Sequence, residues 1–277
     1  MSSLPNLIND DVKNGSKLAG DDLGHDGLEK WYREEENAYF EYDSNLAEKD
    51  PWYGYMRYTN SKFFFSEISK PRGTILFVGP GSGIEVESFS KDHKDWSICF
   101  LESSRDFQDI LKHKFPNSII LESKTNGSIP IDDNSIDVVC VFSVLHHIAN
   151  VSHYLSEFNR VLENNGSLFI REPCSSMGNW RGKRSATPNE RGISKSWFLK
   201  TCNAYSLKPY KKPIPLIFEP INKILSRIGL ETYNYPVLYF FDRFISLLLS
   251  SNDHYWRDKW YKKIGPSSYL YFFRKSK

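Results

Sequence analysis

Three glycines at alternate positions follow a short apolar run and predict a binding loop for a nucleotide-like ligand. The run from Ile75 to Val78 has the character of a buried parallel strand, and Gly79, Gly81 and Gly83 come directly after it. Glycine reaches backbone angles that other residues avoid, and it lets a ligand approach the main chain without a Cβ in the way. The amides at the start of the next helix, expected near Ile84, would face that ligand.

The spacing of the glycines separates two kinds of site. A dinucleotide-binding loop reads G-x-G-x-x-G, and its third glycine lets a helix pack closely beneath the pyrophosphate. Here Ile84 stands at that position, and the third glycine comes one residue earlier. The pattern therefore counts against a nicotinamide-dependent oxidoreductase, which stays an alternative. A plain glycine-rich turn is another alternative, because the pattern is short.

A carboxylate follows the glycine loop at a distance that suits a cofactor. Glu102 ends the next predicted strand, Trp96 to Leu101, about where α/β cofactor folds place an acidic residue that accepts hydrogen bonds from ribose hydroxyls. We therefore predict that the loop and this strand end form one binding site. The predicted cofactor contacts there are Gly79, Pro80, Gly81, Gly83, Glu102 and Ser103.

Size and composition fit one α/β domain with additions. The chain has 277 residues, of which 40% are hydrophobic and 25% charged, and its net charge is +2. This balance disfavours a dedicated nucleic-acid binder, which carries a strongly basic face. The chain has no apolar run of about 20 residues, the length of a spanning helix. Four separated cysteines predict neither a metal site nor disulfides, but small buried side chains in a reducing cytoplasm: Cys99, Cys140, Cys174 and Cys202.

Strand and helix patterns alternate after Pro71, which is typical of a parallel sheet covered on both faces. We predict an α/β fold with a Rossmann-like, mostly parallel seven-stranded sheet, helices on both faces, an N-terminal helical lid and a C-terminal helical insertion. The predicted strands are 74–78, 96–101, 118–121, 136–142, 167–171, 206–210 and 267–274. The predicted helices within and after the sheet are 84–91, 151–162, 196–204, 220–228 and 236–250.

Changes in composition divide the chain into five segments. Residues 1–26 are polar and poor in aromatic side chains, so they are expected to be disordered. Residues 27–70 are rich in tyrosine, tryptophan and phenylalanine and are predicted to form a helical lid. The cofactor-binding core is expected at 71–213, the helical insertion at 214–264 and the last core strand at 265–277.

The stretch from Arg72 to Pro173 resembles class I S-adenosylmethionine-dependent methyltransferases, with motifs in the same order. The G-x-G-x-G loop resembles motif I. Residues 129–139, Ile-Pro-Ile-Asp-Asp-Asn-Ser-Ile-Asp-Val-Val, resemble the approach to strand four, and residues 141–148, Val-Phe-Ser-Val-Leu-His-His-Ile, resemble motif IV. Residues 157–170 resemble the helix, turn and strand that follow. The resemblance implies S-adenosylmethionine as cofactor, with Ser143 among its contacts, and an enzyme of the small-molecule or sugar type.

The chain departs from this family at two positions. Most relatives carry an acidic residue two places before the first glycine, where Phe77 stands, and another near the adenine amine, where Thr125 stands beside Asn126. We expect Thr125 and Asn126 to take part in adenine recognition, with Glu122 as a substitute. The two departures keep a non-catalytic cofactor-binding protein open as an alternative function.

Four residues are candidates for catalysis. Methyl transfer from a sulfonium requires alignment of donor and acceptor, and an oxygen acceptor also needs a base, for which histidine is suited near neutral pH. His146 and His147 follow strand four, and Arg171 and Glu172 leave strand five. His146 and Glu172 are the favoured bases, and bracing the turn is an alternative role for His147. The predicted reaction is O-methylation of a small polar metabolite or a sugar, including a surface or lipid-linked glycan.

The predicted helix near the C-terminus is amphipathic and lies beside tryptophans and lysines. Such a helix can lie at a membrane surface, so residues 237–263 are a candidate for peripheral membrane contact. A cap on the core and a homodimer interface are the alternatives. The apolar stripe is predicted as Val237, Leu238, Phe241, Phe244, Ile245 and Leu248, with Asp242, Arg243, Ser246 and Ser250 opposite.

Overall fold

A mostly parallel sheet organises the molecule, which is known from a computed structural model. The structure describes residues 4–39, 51–176, 187–216, 225, 227–230 and 235–276. Within these residues the strands are β1 Gly73–Val78, β2 Trp96–Glu102, β3 Ile119–Glu122, β4 Ile136–Phe142, β5 Leu162–Pro173, β6 Leu207–Pro209, β7 Ile214–Leu216 and β8 Ser268–Lys275. The order across the sheet is β3-β2-β1-β4-β5-β8-β6, and β7 pairs with β8.

The register of the parallel strands brings their carboxyl ends to one edge of the sheet. Val78, the last residue of β1, pairs with Leu101 of β2 on one side and with Val141 of β4 on the other. On the far side of β4, Phe142 pairs with Arg171 of β5. The glycine loop, Glu102 and the turn after β4 therefore leave the sheet side by side.

The α/β prediction is confirmed, and one further strand adds to it. Strand β7 was missed because it is only three residues long and contains Pro215, whose ring removes a backbone donor. It pairs antiparallel with β8, so the first residues of the segment predicted as the insertion, 214–216, belong to the sheet instead. Strand β5 starts at Leu162, earlier than predicted. Leu162 pairs with Ile136, and the register then shifts before Val138 pairs with Ser167, so the residues predicted to form a turn lie within the strand.

Helices cover both faces of this sheet. They are α1 Asp10–Lys13, α2 His25–Tyr39, α3 Pro51–Phe63, α4 Glu87–Asp92, α5 Arg105–Lys114, α6 Val151–Val161, α7 Lys195–Ala204 and α8 Pro236–Leu248. On one face, Phe158 of α6 and Phe198 of α7 pack in a core cluster of aliphatic side chains. On the other face, Phe64, Phe65 and Phe89 pack in an aromatic cluster. Most of the helix predicted at 220–228 lies outside the described residues.

The N-terminal segment is ordered where the structure describes it, so the expectation of disorder to residue 26 is wrong there. Leu4 and Val12 are almost fully buried, beside the ring of Trp31 from α2. The amide of Leu4 donates to Asn189 Oδ1 at 3.2 Å, and Asp21 Oδ1 accepts from the amide of Ser152 at 2.7 Å. The composition misleads because a few apolar side chains, each fully buried, anchor a polar segment.

None of the helices in the described part of the chain combines the length and the apolar character required to cross a bilayer. The four cysteines are buried and free, and burial raises the pKa of each thiol. They therefore behave as small apolar side chains.

Candidate functional site

The glycine loop after β1 uses its three glycines for different purposes. All three have positive φ, at 57° for Gly79, 55° for Gly81 and 72° for Gly83. A Cβ on Gly79 would lie 2.8 Å from Val144, and one on Gly83 would lie 2.7 Å from Phe115, so close packing requires glycine at both. A Cβ on Gly81 would meet nothing within 4 Å. Gly81 is therefore the position where the loop backbone is open to a ligand.

The helix after this loop begins later than its sequence predicts. A short turn follows Ile84, and α4 starts at Glu87 with an acidic side chain in its first turn. Val86 donates its amide to the carbonyl of Gly83, which closes the turn between loop and helix. The amides expected to face the ligand from Ile84 onward therefore belong to this turn as well as to the helix.

Glu102 connects the glycine loop to the end of β2. Its side chain is 5% exposed, and its two oxygens accept from the amides of Gly81 and Ser104, each at 3.0 Å. Burial raises the pKa of this carboxyl, while the amide donors act in the opposite direction. Ser103, between the two, is exposed at the edge of the sheet. The Glu102 carboxylate thus holds the glycine loop in place, and its predicted contact with ribose hydroxyls would come in addition.

The residues predicted to recognise adenine lie beyond the end of β3. Thr125 and Asn126 are both exposed. Asn126 Oδ1 accepts from the amide of Ser128 at 3.0 Å, and the carbonyl of Asn126 accepts from Asn150 Nδ2 at 3.1 Å. The second bond holds this loop against the start of α6. The contacts of Thr125 and Asn126 with adenine stay predictions. The loop that carries both residues is held in place by the bond from Asn150.

Phe77, at the position where the resemblance implies an acidic residue, lies in the core of the molecule. Its ring is buried in the aromatic cluster, with ring centroids 5.7 Å from Phe89 and 6.4 Å from Phe142. A carboxylate there would be buried among phenylalanine rings with a high cost in solvation. Phe77 therefore contributes to core packing and offers no polar contact at this position.

The turn after β4 is organised by one buried carboxylate, Glu172. Its Oε1 accepts from the amides of Val144 and Leu145, both at 2.7 Å. Its side chain is 1% exposed, and burial raises its pKa to about 7 against the opposing effect of these two amides. Ser143, at the head of the turn, has a φ of 59° and donates its amide to the carbonyl of Arg171. The turn is therefore built around the end of β5.

His146 forms a pair with Glu172. Its Nδ1 lies 2.8 Å from Glu172 Oε2, and its Nε2 lies 3.6 Å from Glu190 Oε1. When Glu172 is ionised it accepts a hydrogen bond from Nδ1–H, so a neutral imidazole keeps its lone pair on Nε2, the nitrogen on the side of Glu190. A carboxylate that orients a histidine in this way is the arrangement of a general base and its positioning group.

His147 connects the same turn to the N-terminal lid. Its Nδ1 lies 3.0 Å from Glu35 Oε2 and 2.8 Å from Thr187 Oγ1, and its carbonyl accepts from Trp31 Nε1 at 2.7 Å. Burial, helped by the nearby His146, lowers the pKa of this imidazole. These contacts favour the bracing role, which the sequence left open as an alternative for His147. Ligand atoms of His146, His147 and Glu190 lie within 4.8 Å of one another, a grouping that the sequence did not predict.

Arg171 lies in a buried ion pair. Its guanidinium, 1% exposed, donates to the two oxygens of Glu85 at 2.6 and 2.9 Å and to Asn60 Oδ1 at 3.0 Å. A fourth bond reaches Ser143 Oγ at 3.2 Å. The pair connects α3, the turn before α4, β5 and the β4 turn. This geometry favours a positioning role for Arg171 over direct contact with a reacting atom.

We expect Arg171→Met to lower the free energy of unfolding by about 3 kcal/mol, because it leaves the partly buried Glu85 carboxylate without its charged partner and with the hydrogen bond from Asn60 Nδ2 in its place. Denaturant unfolding monitored by circular dichroism measures this change. The double variant Arg171→Met/Glu85→Leu should recover part of the loss, since both charges are then absent while the buried Asn60 amide loses its bonds to both residues. Normal stability of Arg171→Met together with lost turnover would instead return Arg171 to direct catalysis.

Several residues of this site were missed in the sequence. Glu35, Glu85, Asn60 and Glu190 come from other segments of the chain, and their role depends on which side chain each one meets in the fold. Glu85 carried the one available signal, since it lies two residues after the glycine loop. Residues 177–186, between β5 and α7, lie outside the described residues, but Arg191 is buried and donates to the carbonyls of His146 and Ile148 in the region of the β4 turn.

Comparisons with known proteins bear on the same part of the chain. Residues 76–170 match the family described as a methyltransferase domain. An uncharacterized methyltransferase of Schizosaccharomyces pombe is 33% identical over 112 residues, which are 40% of this chain and 41% of that protein. A ubiquinone/menaquinone biosynthesis C-methyltransferase of Campylobacter jejuni is 30% identical over 100 residues, 35% of this chain and 42% of that protein. The chain thus covers less than half of the length of these two relatives.

A solved structure extends the likeness beyond the matched residues. It is the complex between the Haloferax volcanii Trm112 methyltransferase activator and a putative methyltransferase, and it aligns with 80% of this chain and 91% of its own at a TM-score of 0.56. The aligned sequences are 15% identical, so the likeness concerns the fold.

Proposed function

We propose that this chain, which carries a class I S-adenosylmethionine-dependent methyltransferase domain at residues 76–170, methylates an oxygen of a small polar metabolite or a sugar in the cytoplasm. Acceptors on a surface or lipid-linked glycan belong to the same chemical class. The observation that carries the proposal is the His146–Glu172 pair, which leaves the sheet beside the glycine loop. The net charge of +2 favours a small acceptor over a nucleic acid.

The strand ends fit S-adenosylmethionine, which supplies a methyl group on a positively charged sulfur. The open space at Gly81 lets the ligand approach the loop backbone, where a Cβ on another residue would intrude. Glu102 keeps acceptor capacity after its two amide bonds, because each carboxylate oxygen offers two lone pairs. It would accept from the ribose, and Ser103, Ser143, Thr125 and Asn126 would complete the contacts.

In the proposed reaction, His146 takes the proton of the acceptor hydroxyl on Nε2. Glu172 holds the imidazole in the required tautomer and stabilises the positive charge that the ring gains. Glu172 itself is a positioning residue, because the turn it organises covers both of its oxygens. His147 and Arg171 keep the turn in place from the lid and from the buried ion pair.

The test combines cofactor binding with product analysis. We expect S-adenosylhomocysteine to bind to the purified chain in calorimetry, NAD not to bind, and a methylated product to appear by mass spectrometry when hydroxyl-bearing acceptors are supplied. Binding without turnover on any acceptor would favour the non-catalytic alternative. The name of the Campylobacter jejuni relative favours carbon as a second candidate acceptor atom, and NMR of the product distinguishes a methoxy from a methyl on carbon.

A further inference from the structure

Helix α8 faces solvent with its apolar side, the reverse of the usual orientation of a surface helix. Its buried positions are Tyr239, Asp242 and Ser246, two of which are polar. Its exposed side includes Phe240, which is 68% exposed. A helix that covers a core buries its apolar stripe and exposes the polar one. The exposed apolar side chains of α8 are Val237, Phe240, Phe241, Phe244, Leu247 and Leu248.

Contacts with α3 fix this orientation. Tyr55 donates its hydroxyl to Asp242 Oδ2 at 2.9 Å, and the rings of Tyr55 and Tyr239 lie 4.6 Å apart. The guanidinium of Arg243 lies over the ring of Phe63 at 4.2 Å. Because the polar side of α8 is bonded to the body of the molecule, the helix cannot turn its phenylalanines inward without losing these contacts.

A basic and aromatic turn continues the exposed surface at the end of α8. Asn252, just after the helix, donates to the carbonyl of Tyr261 at 2.7 Å, which holds the turn Tyr261–Lys263 against the helix end. Trp260 is 75% exposed, and Lys259 and Lys263 are exposed on either side of it. We name α8 and residues 259–263 together the apolar face.

We propose that the apolar face docks on the surface of a membrane rich in anionic phospholipids. An apolar patch of this extent on one side of a molecule marks an interaction surface. Its phenylalanines would enter the boundary between headgroups and acyl chains, while Trp260 and Tyr261 lie at headgroup level and the lysines meet lipid phosphates. Helix α8 has 13 residues and is about 20 Å long, shorter than the roughly 30 Å of a bilayer core, so it lies in the plane of the interface.

The combination of chemistries favours a membrane over a second copy of the chain. A dimer interface would pair the apolar face with itself and bring like charges from Lys259 and Lys263 together. Anionic lipid is complementary to both parts of the surface at once. Docking there would carry the proposed methyl-transfer site to acceptors held at the membrane, but the inference does not depend on that function.

The experiment is flotation of the full chain with vesicles of phosphatidylcholine alone and of phosphatidylcholine mixed with phosphatidylglycerol. We expect binding to the mixed vesicles, weakened by salt and reduced at least tenfold in Phe240→Asp/Phe244→Asp. Lys259→Glu/Lys263→Glu should reduce it by at least about fivefold for each lysine, since each basic residue near such a surface contributes about 1 kcal/mol and the new carboxylate is repelled. Ile119→Asp, an exposed apolar position on β3, is the matched control and should bind as the unaltered chain does.

Three outcomes would overturn the proposal. The unaltered chain could fail to bind mixed vesicles, or it could bind neutral vesicles equally well with no effect of the lysine reversals. It could also form a dimer in light scattering that Phe240→Asp/Phe244→Asp converts to a monomer, which would assign the apolar face to a second copy. Near-ultraviolet circular dichroism checks that each variant is folded. Binding of S-adenosylhomocysteine is measured in parallel, and a folded, unaltered chain that does not bind it would count against the proposed function and not against membrane docking.

Discussion

Replacing Glu172 by glutamine is expected to lower turnover by about 10² to 10⁴-fold while leaving the fold intact. The amide oxygen of the new side chain can still accept from Val144 and Leu145, so the turn after β4 keeps its shape. The amide nitrogen then donates to His146 Nδ1, and the neutral ring carries its proton on Nε2 instead. A histidine in that tautomer cannot take the acceptor proton. Steady-state kinetics and circular dichroism measure the two effects.

Glu35→Gln is the matched control, because it makes the same change beside His147. Its turnover should stay within about tenfold of the unaltered enzyme, the cost of losing one hydrogen bond. Equal losses in the two variants, or turnover within about threefold in Glu172→Gln, would show that His146 is not the base.

The pH dependence of Glu172 gives the same experiment a second readout. The folded-state pKa of about 7 lies above the ordinary glutamate value of 4.5, so the folded state binds this proton more tightly than the unfolded chain. The stability that this proton contributes is fully present below pH 4.5 and is lost as the pH rises to about 7. Glutamine does not ionise, so Glu172→Gln should gain about 3 kcal/mol relative to the parent between pH 4.5 and pH 8. Turnover of the parent should change in the other direction, falling below pH 7 as Glu172 protonates.

The strands that position this site could be predicted because each carries its signal locally. β1, β2 and β4 are continuous apolar runs, and such runs in alternation with helices specify a buried parallel sheet. The short β7 has no such run, and its pairing with β8 depends on residues more than fifty positions away. Helix α5 was not predicted, although its Leu111 is one of the side chains that pack on Gly83.

The site residues divide in the same way. Gly79, Glu102 and His146 come at fixed distances from strand ends, so a sequence pattern is enough to find them. The partners of Arg171 and His147 could not be found in this way, because they are distant in the sequence. Glu85 is 86 positions from Arg171, and Glu35 is 112 positions from His147. Periodicity predicted that α8 is amphipathic, yet it carries no information on which side the rest of the fold will bury. The contacts with α3, including the bond from Tyr55 to Asp242, decide that.

Removing the carboxylate at Glu102 is expected to weaken binding of S-adenosylhomocysteine by about 10² to 10⁴-fold. Glu102→Ala removes an acceptor for the ribose hydroxyls, and hydrogen bonds to a charged group are worth about 1.5 to 3 kcal/mol each. It also removes the acceptor for the amides of Gly81 and Ser104, so the open part of the glycine loop loses its support. Titration calorimetry measures the change in affinity.

Two further variants locate the ribose. Glu102→Gln keeps one acceptor oxygen without the charge, so its affinity should lie between those of the parent and of Glu102→Ala. Glu122 pairs with Glu102 in the register of β2 and β3, and it is exposed one strand farther from the glycine loop. Glu122→Ala should therefore weaken binding by less than about tenfold, the value of one peripheral hydrogen bond. If Glu122→Ala proved the more damaging change, the ribose would lie at the end of β3, and the role given to Glu102 would be limited to bracing the loop.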